Sequence, residues 1–128
     1  MTEYLQRPDG LPPTNGYSHA VSFEGPMVAV SGQVPIDGGD YVGDDGADQV
    51  RQVFTNLATA FTAAGSGLDR VVSMTVYLTN RDDLQAFREV RDTFLDPEKL
   101  PTCSLVLVAG LVDPRFRVEI DAMATCGA

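Results

Sequence analysis

Apolar residues recur along this chain with two different periods, and the alternation between them outlines an α+β domain. Between positions 47 and 64, Val50, Val53, Phe54, Leu57, Ala60, Phe61 and Ala64 form one stripe at helical spacing, the signature of an amphipathic helix. Gly65 stands where such a helix closes. Leu84, Phe87, Val90, Arg91 and Phe94 repeat the spacing. Asp82 is expected to cap that second helix, with Gln85 in capping-box position, and Asp96-Pro97 to stop it. Strand-like runs occupy 19–23 and 27–31, and the Glu24-Gly25-Pro26 turn between them predicts a hairpin. Val71–Leu78 carries few polar residues, as a strand buried on both faces would. Two more strands are expected at 103–111 and 116–124, joined by a turn at Asp113-Pro114. The predicted order is β-β-α-β-α-β-β, with a small extra strand near Tyr41: a mixed sheet with both helices on one face. Residues 1–16 hold Pro8, Pro12 and Pro13 and read as an irregular lead-in. No repeat or linker divides the 128 residues, so one domain spans 1–128.

Composition changes the picture in one respect. The hydrophobic fraction of 44% and charged fraction of 21% are ordinary, but nine basic against eighteen acidic residues give a net charge of −9. Such a surface repels phosphate backbones and anionic membranes. Cys103 and Cys126 fit neither a metal spacing nor a disulfide framework and read as free thiols in a reducing compartment. The polar opening residues suggest no signal peptide, and no stretch approaches a membrane span. A cytoplasmic location is therefore expected.

Three strings carry candidate chemistry: Ser31-Gly32-Gln33-Val34-Pro35, the run from Leu100 to Leu111 (LPTCSLVLVAGL), and Val118-Glu119-Ile120-Asp121-Ala122. Together they resemble the Rid (YjgF) family of small imine and enamine deaminases, over about 16–124. That family shows SGQ(I/V)P early, P-A-R-S in the last third and a closing (V/I)E(I/V)EA. Aligned on Val108-Ala109-Gly110-Leu111, Cys103 stands where the family's arginine holds the substrate carboxylate. The resemblance implies a chorismate-mutase-like subunit assembled as a homotrimer, with active sites in the clefts between subunits.

The resemblance also implies roles. Glu119 would orient and activate the water that attacks the imine carbon. That chemistry asks for a carboxylate able to take and return a proton near neutral pH. On a strand, Glu119 should share a face with Arg117 and Asp121. Ser31 would lie in the site, and Gly32, lacking a Cβ, would let a ligand approach the backbone. Tyr17, in Gly16-Tyr17-Ser18-His19-Ala20, matches the family's G-P-Y-S-x-A without its proline, and that tyrosine caps the pocket from a neighbouring subunit. The only histidine, His19, receives no role. Arg88 stands where many relatives place an asparagine that reaches the site. It is either a replacement anchor for the substrate carboxylate or an exposed arginine paired with Asp92 at i+4.

Cys103 offers neither charge nor fork, where an arginine would give a carboxylate two bonds of roughly 1.5–3 kcal/mol each. The substrate lacks a carboxylate there, or another arginine supplies the charge, or Cys103 is itself a nucleophile or redox thiol, or it fills the space that arginine left. An enzyme of this kind would add water to the C=N carbon of a small reactive imine other than the usual 2-imino acid, releasing ammonia and a carbonyl compound. Neither metal nor organic cofactor is implied, since the imine is already electrophilic. The expected partners are a small-molecule substrate and two further copies of the chain. The alternative is a non-catalytic relative that binds a metabolite or another enzyme. A ribonuclease, a label some relatives carry, is disfavoured by charge.

Overall fold

The hydrophobic periods become elements almost where they change. In a computed structural model of the chain, which describes residues 1–127, twelve short elements follow one another. They are β1 (Glu3–Leu5), β2 (Ala20–Ser22), β3 (Met27–Gln33), β4 (Ile36–Asp37), β5 (Asp40–Tyr41), α1 (Gly46–Ala63), β6 (Val71–Leu78), α2 (Leu84–Phe94), β7 (Thr102–Leu107) and β8 (Val118–Thr125), with single 3-10 turns at Leu68–Arg70 and Arg81–Asp83. β3, β8, β6 and β7 form the main sheet in that order. β8 runs antiparallel to both neighbours and β6 parallel to β7. The expected α+β mixed sheet is therefore present, and α2 makes the crossover that a parallel pair requires.

Both helices lie on one face. Val50, Val53, Phe54, Leu57 and Phe61 of α1 are buried against Val76, Ile120 and Ala122 of the sheet, each contributing roughly 1.5–3 kcal/mol by burial. Phe54 stacks on Phe87 and Phe94 of α2 at centroid distances of 6.2 and 5.2 Å. The helix begins where Asp45 Oδ1 accepts the Asp48 amide at 3.0 Å. Gln49, fully buried, is its polar tie to the loops: Oε1 accepts the Arg117 amide at 2.7 Å, and Nε2 donates to Gly43 O at 2.9 Å and Arg115 O at 3.1 Å.

Three expectations need correction. β2 pairs with β1 from the lead-in, with Leu5 opposite Ala20, and not with β3. Val28 and Val30 draw β3 onto β8, where a helix covers them, whereas β2 has only Val21 to bury. The small extra strand expected near Tyr41 is present, as β5, paired with β4 in a separate two-stranded ribbon. Asp82 does not cap α2: Asn80 Oδ1 accepts the Asp82 amide, a 3-10 turn intervenes, and Gln85 reaches Glu89 instead. β6 is buried on one face only. Ser73 is exposed and Thr75 and Tyr77 are partly so, on a sheet face that none of the described residues covers.

Candidate functional site

The uncovered face carries the first cluster. Val118, Ile120 and Ala122 of β8 enter the core, which turns Glu119 and Asp121 outward. Opposite them the β3 register slips between Val30 and Gln33, so Ser31 and Gly32 together face one β8 position. That bulge re-aims the backbone. A Cβ on Gly32 would overlap Oε2 of Glu119, so the missing side chain is what lets the carboxylate lie against the main chain. Ser31 is exposed beside it. On the other flank Tyr77 is in register with Glu119, and its hydroxyl donates to Asp121 Oδ2 at 3.1 Å. That bond, then the Asp121 charge, raises the Tyr77 phenol and keeps it protonated. Arg117 does not join this group. It precedes β8 and forks onto Asp83 at 2.8 and 3.0 Å, securing the start of α2, and the Asp83 bond is the main reason its own value rises.

The second cluster lines an open cleft of about 310 Å³ between α2, β7 and the lead-in, at the small end of ligand-pocket sizes. Cys103 and Leu105 enter from β7, Leu84, Phe87, Arg88 and Arg91 from α2, Asn15 and Gly16 from the lead-in, and Tyr17 from just after it. The lead-in, irregular as expected over most of its length, is nonetheless pinned. Gln6 donates to Pro97 O, and Ser18 bonds Pro101 O through its amide and Leu100 O through its hydroxyl. His19 Nε2 bonds Pro12 O at 2.7 Å, and its ring meets Tyr17 edge-on at 5.8 Å. The lone histidine is thus a tether.

Arg91 is the residue that sequence reasoning missed. Only 5% exposed, it donates to Asn15 O and Oδ1, both at 2.9 Å, and to Asp92 at 3.0 Å, with its guanidinium 5.7 Å from the Phe87 ring centre. Gly16, at φ +72°, has no room for a Cβ beside that guanidinium. The available signal was a charged residue on the otherwise apolar stripe of α2. Because Arg91 takes Asp92, the expected Arg88–Asp92 pair does not form. Among the described residues Arg88 makes neither a hydrogen bond nor an ion pair, and it lies partly buried in the cleft. The Cys103 thiol is pushed up to about 11 by burial, with the Arg91 charge opposing only weakly. A thiol in that state is a poor nucleophile near neutral pH.

The clusters are apart. Cys103 is in register with buried Met74 and faces the helices, whereas Glu119 faces the open side. β7 and β8 are two strand spacings apart, roughly 10 Å, and β7 and β3 three, roughly 14 Å. Of the expected site residues, the chain brings Ser31, Gly32 and Glu119 together, and separately Tyr17, Arg88 and Cys103. Tyr17 shares its cleft with Cys103 of its own chain. Among the described residues no group of three or more His, Cys, Asp or Glu is placed to hold a metal ion, and no helix is long and apolar enough to cross a membrane.

Residues 8–126 match the family described as endoribonuclease L-PSP. The chain belongs to the Rid (YjgF) family. A RutC family protein of Pyrococcus horikoshii is 33% identical over 126 residues, 97% of this chain and 98% of its own. TdcF of Escherichia coli, whose name proposes it as a reactive intermediate deaminase, is 34% identical over 108 residues, 81% of this chain and 82% of its own. Among solved structures, a Rid family protein of unknown function from Yersinia pestis superimposes with a TM-score of 0.87 at 28% identity, covering 97% and 98% of the two chains. In this Rid chain, SGQVP is the β3 bulge and the turn after it, and VEIDA is the central β8.

Proposed function

We propose that this Rid protein hydrolyses a small reactive imine, or an enamine through its imine tautomer, in a site completed between the subunits of a homotrimer. The observation that carries the reading is the Glu119 carboxylate, seated against the Gly32 backbone on a sheet face that none of the described residues covers. A second copy laying its cleft against that face would bring Tyr17, Arg88 and Cys103 to Glu119.

The residues then divide the work. Glu119 accepts a proton from water as the oxygen attacks the C=N carbon, and passes it to the imine nitrogen. The resulting carbinolamine loses its C–N bond: Glu119 takes the hydroxyl proton and delivers it to the nitrogen, which leaves as ammonia, and a carbonyl compound remains. Ser31 and the bare Gly32 backbone border the attacked carbon, and Tyr17 closes the cleft mouth. The electrophile is in the substrate, so the reaction asks for no cofactor. Cys103 fills the place of the usual carboxylate anchor, so the substrate is not a 2-imino acid held from β7. A ribonuclease role is disfavoured by the charge of −9. The alternative is a metabolite-binding or partner-binding protein without turnover, favoured by the loss of the arginine at 103. The reading locates the protein in the cytoplasm, which fractionation tests, since one relative, mmf1 of Schizosaccharomyces pombe, is named mitochondrial.

The test is ammonia release from imines made in situ by an amino-acid oxidase, acidic and neutral in parallel. Wild type should release ammonia faster than buffer, and Glu119→Gln should lose roughly 10²–10⁴ of that rate while keeping the oligomer's mass. Full activity in Glu119→Gln removes the water-activating role, and no turnover of any imine by wild type leaves the binding-protein alternative.

A further inference from the structure

We propose that Arg88 of one copy pairs with Glu119 of the next, so that the assembled site commits this cation to its own carboxylate and takes an imine without an acid group. The arrangement of the copies rests on the deaminase reading, whose substrate class the pairing names. Within its own chain Arg88 has no partner among the described residues, although the chain carries eighteen acidic residues. Asp92, one turn on, pairs with Arg91, and Glu89 accepts from Gln85. Glu119 is in the same position in the other cluster. Its Oε2 lies against Gly32, and the nearby Tyr77 hydroxyl donates to Asp121 instead. Bringing the cleft to the open face takes both groups from water. Burying either charge alone is costly, and burying the two in contact far less so.

Of the two arginines that line the cleft, Arg91 cannot be the partner, because Nε, Nη1 and Nη2 all donate to Asn15 or Asp92. Arg88 is left. A bond from its guanidinium to one Glu119 oxygen leaves the other oxygen to the attacking water, and the positive charge favours the anionic form that accepts the proton. Arg88 therefore acts through Glu119, as a positioning residue. The consequence falls on the substrate. With Arg91 tied, Arg88 paired and Cys103 uncharged, the lining of the cleft keeps no cation for a carboxylate, and Leu84, Phe87 and Leu105 supply apolar wall. A substrate acid would also be repelled by Glu119 itself. The imine of a simple aldehyde or ketone suits such a site.

The test has a readout without chemistry. Native mass spectrometry of mixed isotope-labelled and unlabelled protein follows subunit exchange. Arg88→Gln and Glu119→Gln should each speed exchange about tenfold, because each leaves one charge buried alone. The double variant should exchange no faster than the faster single, where independent residues would multiply to about a hundredfold. Arg51→Gln, exposed on α1, should change nothing. In the ammonia assay wild type should prefer an imine without a carboxylate, made by a flavin amine oxidase, over 2-iminopropionate. Arg88→Gln should lower kcat for both alike, by about tenfold or more, with KM little changed. Exchange effects that multiply, a KM that rises for the acidic imine alone, or a wild type that prefers the acidic imine would each overturn the proposal. Coupled exchange with no ammonia release from any imine removes the deaminase reading alone. Ammonia release lost in Glu119→Gln and fully kept in Arg88→Gln removes this proposal alone.

Discussion

At pH 8 the Cys103 thiol should be alkylated about tenfold more slowly than an unperturbed cysteine, and its rate should go on climbing well past pH 9. With a pKa of about 11 against an ordinary 9.0, the reactive thiolate is roughly 0.1% of the thiol at pH 8, against roughly 9%. That is a deficit of about ninetyfold. The more basic thiolate is intrinsically the better nucleophile, by about eightfold over two pH units at a Brønsted slope near 0.45, which leaves about tenfold. Burial of the sulfur, and any further burial between subunits, moves the rate in the same direction. The assay is iodoacetamide labelling of Cys126→Ser protein followed by mass spectrometry from pH 7 to 11, with circular dichroism confirming the fold at each pH. A rate that plateaus at or below pH 9, or that matches free cysteine at pH 8, would refute the reasoning and restore Cys103 as a nucleophile. The sign for stability follows. The folded state holds this proton more tightly than the unfolded state, so its contribution is fully present below pH 9 and is lost as pH rises from 9 towards 11.

Gln49→Leu should lower stability by about 2 kcal/mol, because the Arg117 amide loses its buried acceptor and two loop carbonyls lose their donor; a thermal melt unchanged within a degree would contradict it. Gly32→Ala should cost on the order of 10² in kcat/KM by displacing the Glu119 carboxylate. Gly32 has no left-handed backbone, so its melting temperature should move little, and the two readouts separate a site effect from misfolding. Wild type should turn over 2-iminopropionate more slowly than arginine-bearing relatives, and Cys103→Arg should raise that rate in the ammonia assay. Equal wild-type turnover would show that no anchor is missing.

Periodicity located α1, α2 and β6 because each buries a continuous apolar stripe, and such a stripe is legible without knowing what covers it. Pairing is different. Val21 and Val28 look alike in a string, and only the competition for the helix-covered side of β8 sends β3 there and leaves β2 to β1. The motifs pointed to Glu119, Ser31, Gly32, Tyr17, Arg88 and Cys103. That these fall into two clusters followed from the strand order β3-β8-β6-β7, which no local pattern encodes, together with the register that turns Cys103 to the side of Met74 and Glu119 to the open side. Arg91 was passed over because it sits on an apolar stripe, where its aliphatic stem packs as a hydrophobe would; its partners come from a lead-in 76 residues away.

The split site itself is tested most directly by mixing two defective chains. Glu119→Gln spoils the open-face cluster, and Leu105→Trp fills the cleft; each variant alone should release almost no ammonia from an imine that wild type hydrolyses. In the proposed ring of three copies, each site would take its Glu119 half from one copy and its cleft half from the next. When the two variants are co-assembled in equal amounts, about a quarter of the sites pair an intact Glu119 with an intact cleft. The account predicts recovery of about a quarter of wild-type ammonia release on mixing. No recovery from mixed trimers of verified composition would contradict it, since a site contained in one chain cannot be repaired by a neighbour.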